Sequence, residues 1–220
     1  MSLEIADERL AQQIRFLVEM DKLKTVLRRT FVIGTDRYEN SAEHSWQLPL
    51  AAMILSEYAD VPFDLCRVLK MLLVHDIIEI DAGDTYCYDE QGALDKQERE
   101  GRAAERIFGL LPADQAVEIK GLWAEFEAGA TPEAGMANAV DRLMPLLHNY
   151  YTQGRSWQDH GIHSDQVFER NSRVGEASET LGALVQAIVE DAVARGYLAP
   201  SRRPSQVAKE KGLPFGSEKP

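Results

Sequence analysis

From Leu10 to Val193, apolar residues recur at three- and four-residue spacing, and no stretch alternates over the length of a strand. A chain patterned this way hides its apolar surface by laying helix faces against one another. The expectation is therefore an all-α fold. Leu10, Ile14, Leu17 and Val18 share one face of a first helix over 7–23, and Gly34 with the polar stretch after it then breaks the chain. Asn40, followed at the third position by Glu43, is a capping box that opens a second helix through Tyr58. Pro62 and Asp64 open a third, which carries Leu65, Val68, Leu69, Leu72 and Leu73 on one face and runs to Gly83. A loop over Asp84–Gly92 leads to a charged amphipathic helix, Leu94–Leu111, with the charges of 95–106 on its solvated side. Pro112 suits the first turn of a helix to Ala128, and Pro132 opens another that carries Val140, Leu143, Met144 and Leu147. A loop over 153–163 precedes a long last helix, Ser164 to Arg195, ended by Gly196.

The 220 residues suit one large domain over 1–199, followed by a proline-bearing tail over 200–220 that reads as extended or disordered. Lysine and arginine number 24 against 36 acids, a net charge of −12 that argues against binding a nucleic acid polymer. A small anion remains possible where positive charge is concentrated locally, as a bound metal ion would do. Cys66 and Cys87 form no CxxC pair, so no disulfide framework is expected, and a reducing cytoplasm is the natural setting. No apolar run is long enough to span a membrane, and Met1–Glu4 does not open a signal peptide.

Two segments carry chemistry. The first is Glu43-His44-Ser45, at the start of the second helix. The second is His75-Asp76-Ile77-Ile78-Glu79 followed by Asp81-Ala82-Gly83-Asp84, directly after the apolar run Met71–Val74. A carboxylate beside a core is costly unless a cation pairs with it. On a helix His75 and Glu79 share a face, with Asp76 about 100° round. A His-Asp dipeptide alone reads equally well as a helix-end ion pair, and Asp141 alone as a surface acid. His44 one helix earlier, and Asp141 inside the apolar pattern Val140–Leu147, shift the balance toward a ligand set. Pro145, four residues after Asp141, removes the amide that would bond the Asp141 carbonyl.

The order His, His-Asp, distant Asp, all on helices, resembles the HD-domain metal-dependent phosphohydrolase superfamily, and within it the small 5′-deoxynucleotidase branch. The residues that carry the resemblance are Leu23–Thr30, Arg37–Ser45 and His75–Asp84, and it extends over roughly residues 8 to 195. It implies that His44, His75, Asp76 and Asp141 ligate one divalent metal. It also implies that Glu79 is the catalytic acid/base, that Asp84 supports substrate or water beside it, and that Arg29 faces the phosphate. Some members of the branch place an aromatic residue after that arginine to read the sugar; here it is Thr30, which implies weaker 2′-deoxy selectivity. The implied reaction is hydrolysis of a (deoxy)nucleoside 5′-monophosphate to nucleoside and phosphate, by a protein that is usually a homodimer. Two imidazoles and two carboxylates suit Mn, Fe, Co, Ni, Zn or Mg rather than Ca. No histidine lies between residues 76 and 141, which favours a single ion over two.

His148 reads as part of a polar helix surface, and His160 and His163 as solvated loop residues. Trp46, Trp123 and Trp157 read as core or interface aromatics. Two other readings stay open: an HD phosphohydrolase for a triphosphate, cyclic or (p)ppGpp-type nucleotide, and a nucleotide-sensing module without catalysis.

Overall fold

The computed structural model describes residues 5–89, 91–92 and 94–202. Its helices are α1 (Glu8–Met20), α2 (Ser41–Leu55), α3 (Leu65–Val74), α4 (Glu79–Ala82), α5 (Lys96–Phe108) and α6 (Ala113–Ala128). They continue with α7 (Pro132–Tyr151), α8 (Arg155–Asp159), α9 (Ser164–Asn171), α10 (Val174–Ala177) and α11 (Glu179–Ala194). The architecture is all-α, as the periodicity predicts. The central helix is α7, which packs against α2, α3, α6, α10 and α11. Its Ala134, Ala137, Val140, Leu143 and Leu146 are buried in one core with Leu48 of α2 and Met71 and Leu72 of α3. The Asn40–Glu43 capping box is present as read: Asn40 Oδ1 accepts from the Glu43 amide at 2.9 Å, and the Glu43 carboxylate accepts from the Asn40 amide at 3.2 Å.

Five local expectations are corrected. First, the stretch before α2 is not a plain loop. It is a two-stranded antiparallel hairpin, β1 (Leu27–Phe31) with β2 (Tyr38–Asn40), turned at Gly34 with φ +78°. Leu27 pairs with Asn40 and Phe31 with Tyr38, so four steps along β1 match two along β2. The irregularity lets Thr30 and Phe31 both turn inward. Second, the third helix stops at Val74. The amides of Ile77, Glu79, Ile80 and Asp81 bond three residues back, not four, so His75–Ile78 is a tightened turn before α4.

Third, the segment 153–163 contains α8. Fourth, the long last helix is three helices. Gly175 and Gly182 meet where α10 and α11 cross, so closely that a Cβ on Gly182 would lie 2.7 Å from the Gly175 Cα. Ser178, in extended backbone, caps α11 by accepting the Leu181 amide at 3.1 Å. Fifth, the apolar face of α1 is not in the core. Arg9 forks onto Asp114 at 2.7 and 2.8 Å, Gln13 bonds Gln115 at 2.8 Å, and Phe16 and Met20 pack on the core. These contacts leave Leu17 and Val18 more than half exposed.

The chain closes on itself near its end. Gly154, at φ +73°, sits where a Cβ would fall 1.9 Å from the Tyr197 carbonyl oxygen, so only glycine fits. Leu198 is buried in the common core, Ala199 bridges to His163, and the His163 Nδ1–H donates to the Pro200 carbonyl at 2.7 Å. Beyond Arg202, the tail expectation for 200–220 lies outside the described residues.

Candidate metal centre and active site

Three elements deliver the ligand candidates. His44 lies in the first turn of α2, whose cap fixes where that turn begins. His75 and Asp76 open the tightened turn after α3, and Asp141 sits midway along α7. His44, His75 and Asp141 bring one ligand atom each within 4.8 Å of one another. The His44 Nε2 is 3.0 Å from Asp141 Oδ1, and the His75 Nε2 is 3.6 Å from the same oxygen. Asp76 stands beside them, with Oδ1 3.1 Å from His75 Nε2 and Oδ2 3.8 Å from His44 Nε2. It is also held by Arg28, whose Nη1 donates to Oδ2 at 2.8 Å.

The donor chemistry fits a divalent cation. The His75 Nδ1 faces the Leu72 carbonyl at 2.9 Å, and a carbonyl can only accept, so Nδ1 carries the proton. Nε2 is buried without a hydrogen-bond partner and faces two carboxylate oxygens, and against its burial the charges of Asp76 and Asp141 hold the ring well above its ordinary value. Buried carboxylates gathered around two imidazoles call for positive charge between them, which a divalent cation would supply in place of a ring proton. His44 is fully buried, and its Nδ1 faces the Glu39 carboxylate at 3.7 Å. At that distance no hydrogen bond joins them, and both atoms are buried without a partner, so Glu39 acts on the ring through its charge alone. Burial first, and then Arg28, push His44 down to about 4, which keeps the ring neutral as a ligand must be.

Glu79 is the first residue of α4. In the three-residue repeat of the tightened turn it lines up with Asp76, and it is buried. Its Oε2 accepts the Ser41 hydroxyl at 2.6 Å. Burial, and then the Asp76 charge, raise its carboxyl well above the ordinary value, with Asp84 adding to the rise. A carboxyl raised in this way is suited to general-acid work. Gly83, at φ +74°, turns the chain after α4, and Asp84 then faces the Arg28 guanidinium at 3.9 Å.

His75, Asp76, Glu79, Asp84 and Asp141 line one cavity of about 240 Å³, together with Arg28, Arg29, Thr30, Lys96, Phe126, Arg142, Arg170 and Arg173. Arg29 is exposed at the rim, whereas Arg28 reaches into the carboxylate cluster. Sequence reasoning missed several participants. Glu39 is almost fully buried, and burial raises it to about 7 against the pull of Arg28. His148, read as a surface residue, is buried with Nδ1 3.8 Å from Glu39 Oε1; α7 is wrapped by neighbours on nearly every side, so it has little polar face to offer. The clue to Glu39 was its place beside the capping box; the clue to Arg28 was its alternation with Arg29 and Thr30 along a strand. His160 is exposed, and His163 is half-buried against Pro200. Trp157 is in the core, Trp123 is half-buried, and Trp46 is two-thirds exposed.

The profile of the HD domain family matches residues 20–182, and the chain belongs to that family. It is a metal-dependent hydrolase of the HD class. Similar proteins include the 5′-deoxynucleotidase HDDC2 of Danio rerio, 29% identical over 140 residues that cover 62% of this chain and 68% of that one. The Homo sapiens protein of the same name is 30% identical over 135 residues, 61% of this chain and 65% of that one. The match thus spans about two thirds of these curated relatives. A crystal structure described as a predicted metal-dependent phosphohydrolase from Magnetospirillum magnetotacticum is 51% identical. It superposes with a TM-score of 0.85 over 90% of this chain and 100% of its own.

Proposed function

We propose that the chain is a phosphomonoesterase that hydrolyses (deoxy)nucleoside 5′-monophosphates to nucleoside and inorganic phosphate. The observation that carries this reading is Glu79, a buried acid whose carboxyl is raised above its ordinary value by burial and by Asp76, in the same cavity as an imidazole–carboxylate cluster of ligand geometry. Relatives named 5′-deoxynucleotidase support the nucleotide as the phosphate's carrier. His44, His75, Asp76 and Asp141 hold one divalent ion, of the set Mn, Fe, Co, Ni, Zn and Mg. When bound, that ion supplies Lewis-acid polarisation of the phosphoryl group and activation of water. Arg28 anchors Asp76, and the Glu39 charge faces His44 from behind. Water adds to phosphorus, the bond from phosphorus to the 5′ oxygen breaks, and Glu79 gives its proton to that oxygen. Asp84 steadies substrate or water beside Glu79, and Arg29 meets the substrate at the rim.

The apolar strip left exposed on α1, with Leu17 and Val18, supports a homodimer, as do the exposed Trp46, Met53 and Ile54 of α2. The last helix is not free for that purpose, because Leu181, Val185, Val189 and Ala192 are spent in the chain's own core. Light scattering should give twice the chain mass, and Leu17→Glu should return it to one. Cys66 and Cys87 are both unpaired, which supports a cytoplasmic setting that cell fractionation would test. A phosphate-release screen across deoxy- and ribonucleoside monophosphates, triphosphates and cyclic nucleotides, with each metal added, tests the main reading. Release from 5′-monophosphates is the expected result. Release only from triphosphates or cyclic nucleotides, or from none, overturns it.

A further inference from the structure

Arg28 is partly committed: its Nη1 donates to Asp76, with Glu39 at 3.5 Å and Asp84 at 3.9 Å around the same guanidinium, while its Nε has no hydrogen-bond partner. Arg29 lies at the rim, exposed. The cavity has a second wall, however, made by α7 and α9. There Arg170 points its Nη2 at Asp141 Oδ2 from 3.8 Å, beyond hydrogen-bond length. The other oxygen of that same carboxylate touches both imidazoles of the ligand cluster. Arg170, with 40% of its side chain exposed, therefore stands within one carboxylate's width of the ligand atoms, on the side that opens into the cavity.

Arg142 follows Asp141 on α7 and lines the same wall, and its Nε is buried without a hydrogen-bond partner. Arg173 comes next along the wall, but it is engaged by Glu176 at 3.1 Å and by the Gly129 carbonyl at 3.1 Å. Two guanidinium groups side by side repel, and a buried donor left unmet is costly. Arg170 faces an acid, Asp141, whose inner oxygen is directed at the ligand cluster. An anion with several acceptor oxygens, seated between Arg170, Arg142 and the cluster, would satisfy all three. A phosphate dianion has that charge and those acceptors, and planar guanidinium donors match its geometry.

We propose that Arg170, backed by Arg142, is the arginine that holds the phosphoryl group being hydrolysed. This rests on the phosphomonoesterase reading for the identity of the group, but its test does not depend on any nucleotide. Orthophosphate, the common product of every phosphomonoester, is titrated calorimetrically into metal-loaded protein. Arg170→Met should weaken its binding about ten- to a hundredfold, with helicity and bound metal per chain unchanged. Arg170→Lys should recover part of the loss, because it keeps the charge and loses the fork. Arg142→Lys should weaken binding less than Arg170→Met. Arg102→Met, on the solvated face of α5, should match wild type. With p-nitrophenyl phosphate as substrate, Arg170→Met should raise KM and the inhibition constant of orthophosphate together. If orthophosphate binds Arg170→Met as tightly as wild type, the assignment is overturned even if nucleotides are hydrolysed. If wild type hydrolyses no nucleotide yet loses orthophosphate binding in Arg170→Met, the subsite stands and the substrate reading falls.

Discussion

Replacing Glu79 by glutamine removes a transferable proton while keeping size and shape. The amide oxygen of glutamine can still accept the Ser41 hydroxyl that Glu79 Oε2 accepts at 2.6 Å, so α4 should stay in place. Asp76 sets its oxygens 3.1 Å from His75 Nε2 and 3.8 Å from His44 Nε2, whereas Glu79 gives its Oε2 to Ser41. Metal content should therefore be that of wild type. The size of the effect depends on the leaving group. A 5′ alkoxide leaves poorly, and a positioned acid is worth about 10²–10⁴ in rate, or about 3–5 kcal/mol of barrier. p-Nitrophenolate leaves well without a proton, and its loss should be about tenfold or less.

The pH profile provides a second reading of the same residue. Burial, Asp76 and Asp84 raise the Glu79 carboxyl, so its active protonated form persists to higher pH than an ordinary glutamic acid allows. The wild-type rate should fall as pH rises through that raised value, and the glutamine variant should lack this alkaline fall. Phosphate release on both substrates from pH 5 to 10, with metal content measured alongside, decides the matter. Loss of metal in Glu79→Gln would make Glu79 a ligand. Equal slowing on both esters would mean that it acts on the water instead, and the leaving-group argument would be refuted.

Asp141→Ala should abolish metal retention by elemental analysis while circular dichroism stays helical. Stripping the metal from wild type should lower Tm by about 5–10 °C, because an ion at a hundredfold excess over Kd stabilises by about 2.7 kcal/mol. Glu39→Gln should weaken metal binding about 10–100-fold through the loss of the carboxylate behind His44, read by competition with a chelating dye. Turnover of dAMP over AMP should show a preference of only about tenfold to a hundredfold, since neither Arg29 nor Thr30 at the cavity offers an aromatic face to the sugar; strong rejection of AMP would show that other residues read the 2′ position.

The ligand candidates were legible because they announce themselves locally. His44 follows a capping box, and an apolar run delivers His75 and Asp76 to the core edge. What failed was the reading of how the chain turns between such markers. The hairpin is short, bulged and half polar, so its period-two signal is weak. Without a strand, Arg28 and Arg29 are neighbours with nothing to separate them. With one, Arg28 and Thr30 turn inward while Arg29 stays exposed, so of these two arginines, both lining the cavity, Arg28 is the deeper. His148 was misread because a lone histidine on a helix carries no sign of the acid it will meet, and Glu39 comes from an element far away in sequence. Arg142 and Arg170 carry even less signal, since α9 had been read as part of one unbroken helix. The Gly175–Gly182 contact that breaks it is a property of two crossing backbones, visible only once both are placed.

The seam at Gly154 and Tyr197 also bears on how the protein is made. Trp157 lines the cavity from α8, and it shares its core with Leu198, which enters that core only when the seam forms. Synthesis proceeds from the amino terminus, so every ligand candidate, Glu79 and both wall arginines leave the ribosome before Leu198 does. A chain halted at Arg195 would carry every ligand candidate, Glu79 and both wall arginines, yet lack the Tyr197 carbonyl against which Gly154 is set and the Leu198 side chain of the common core.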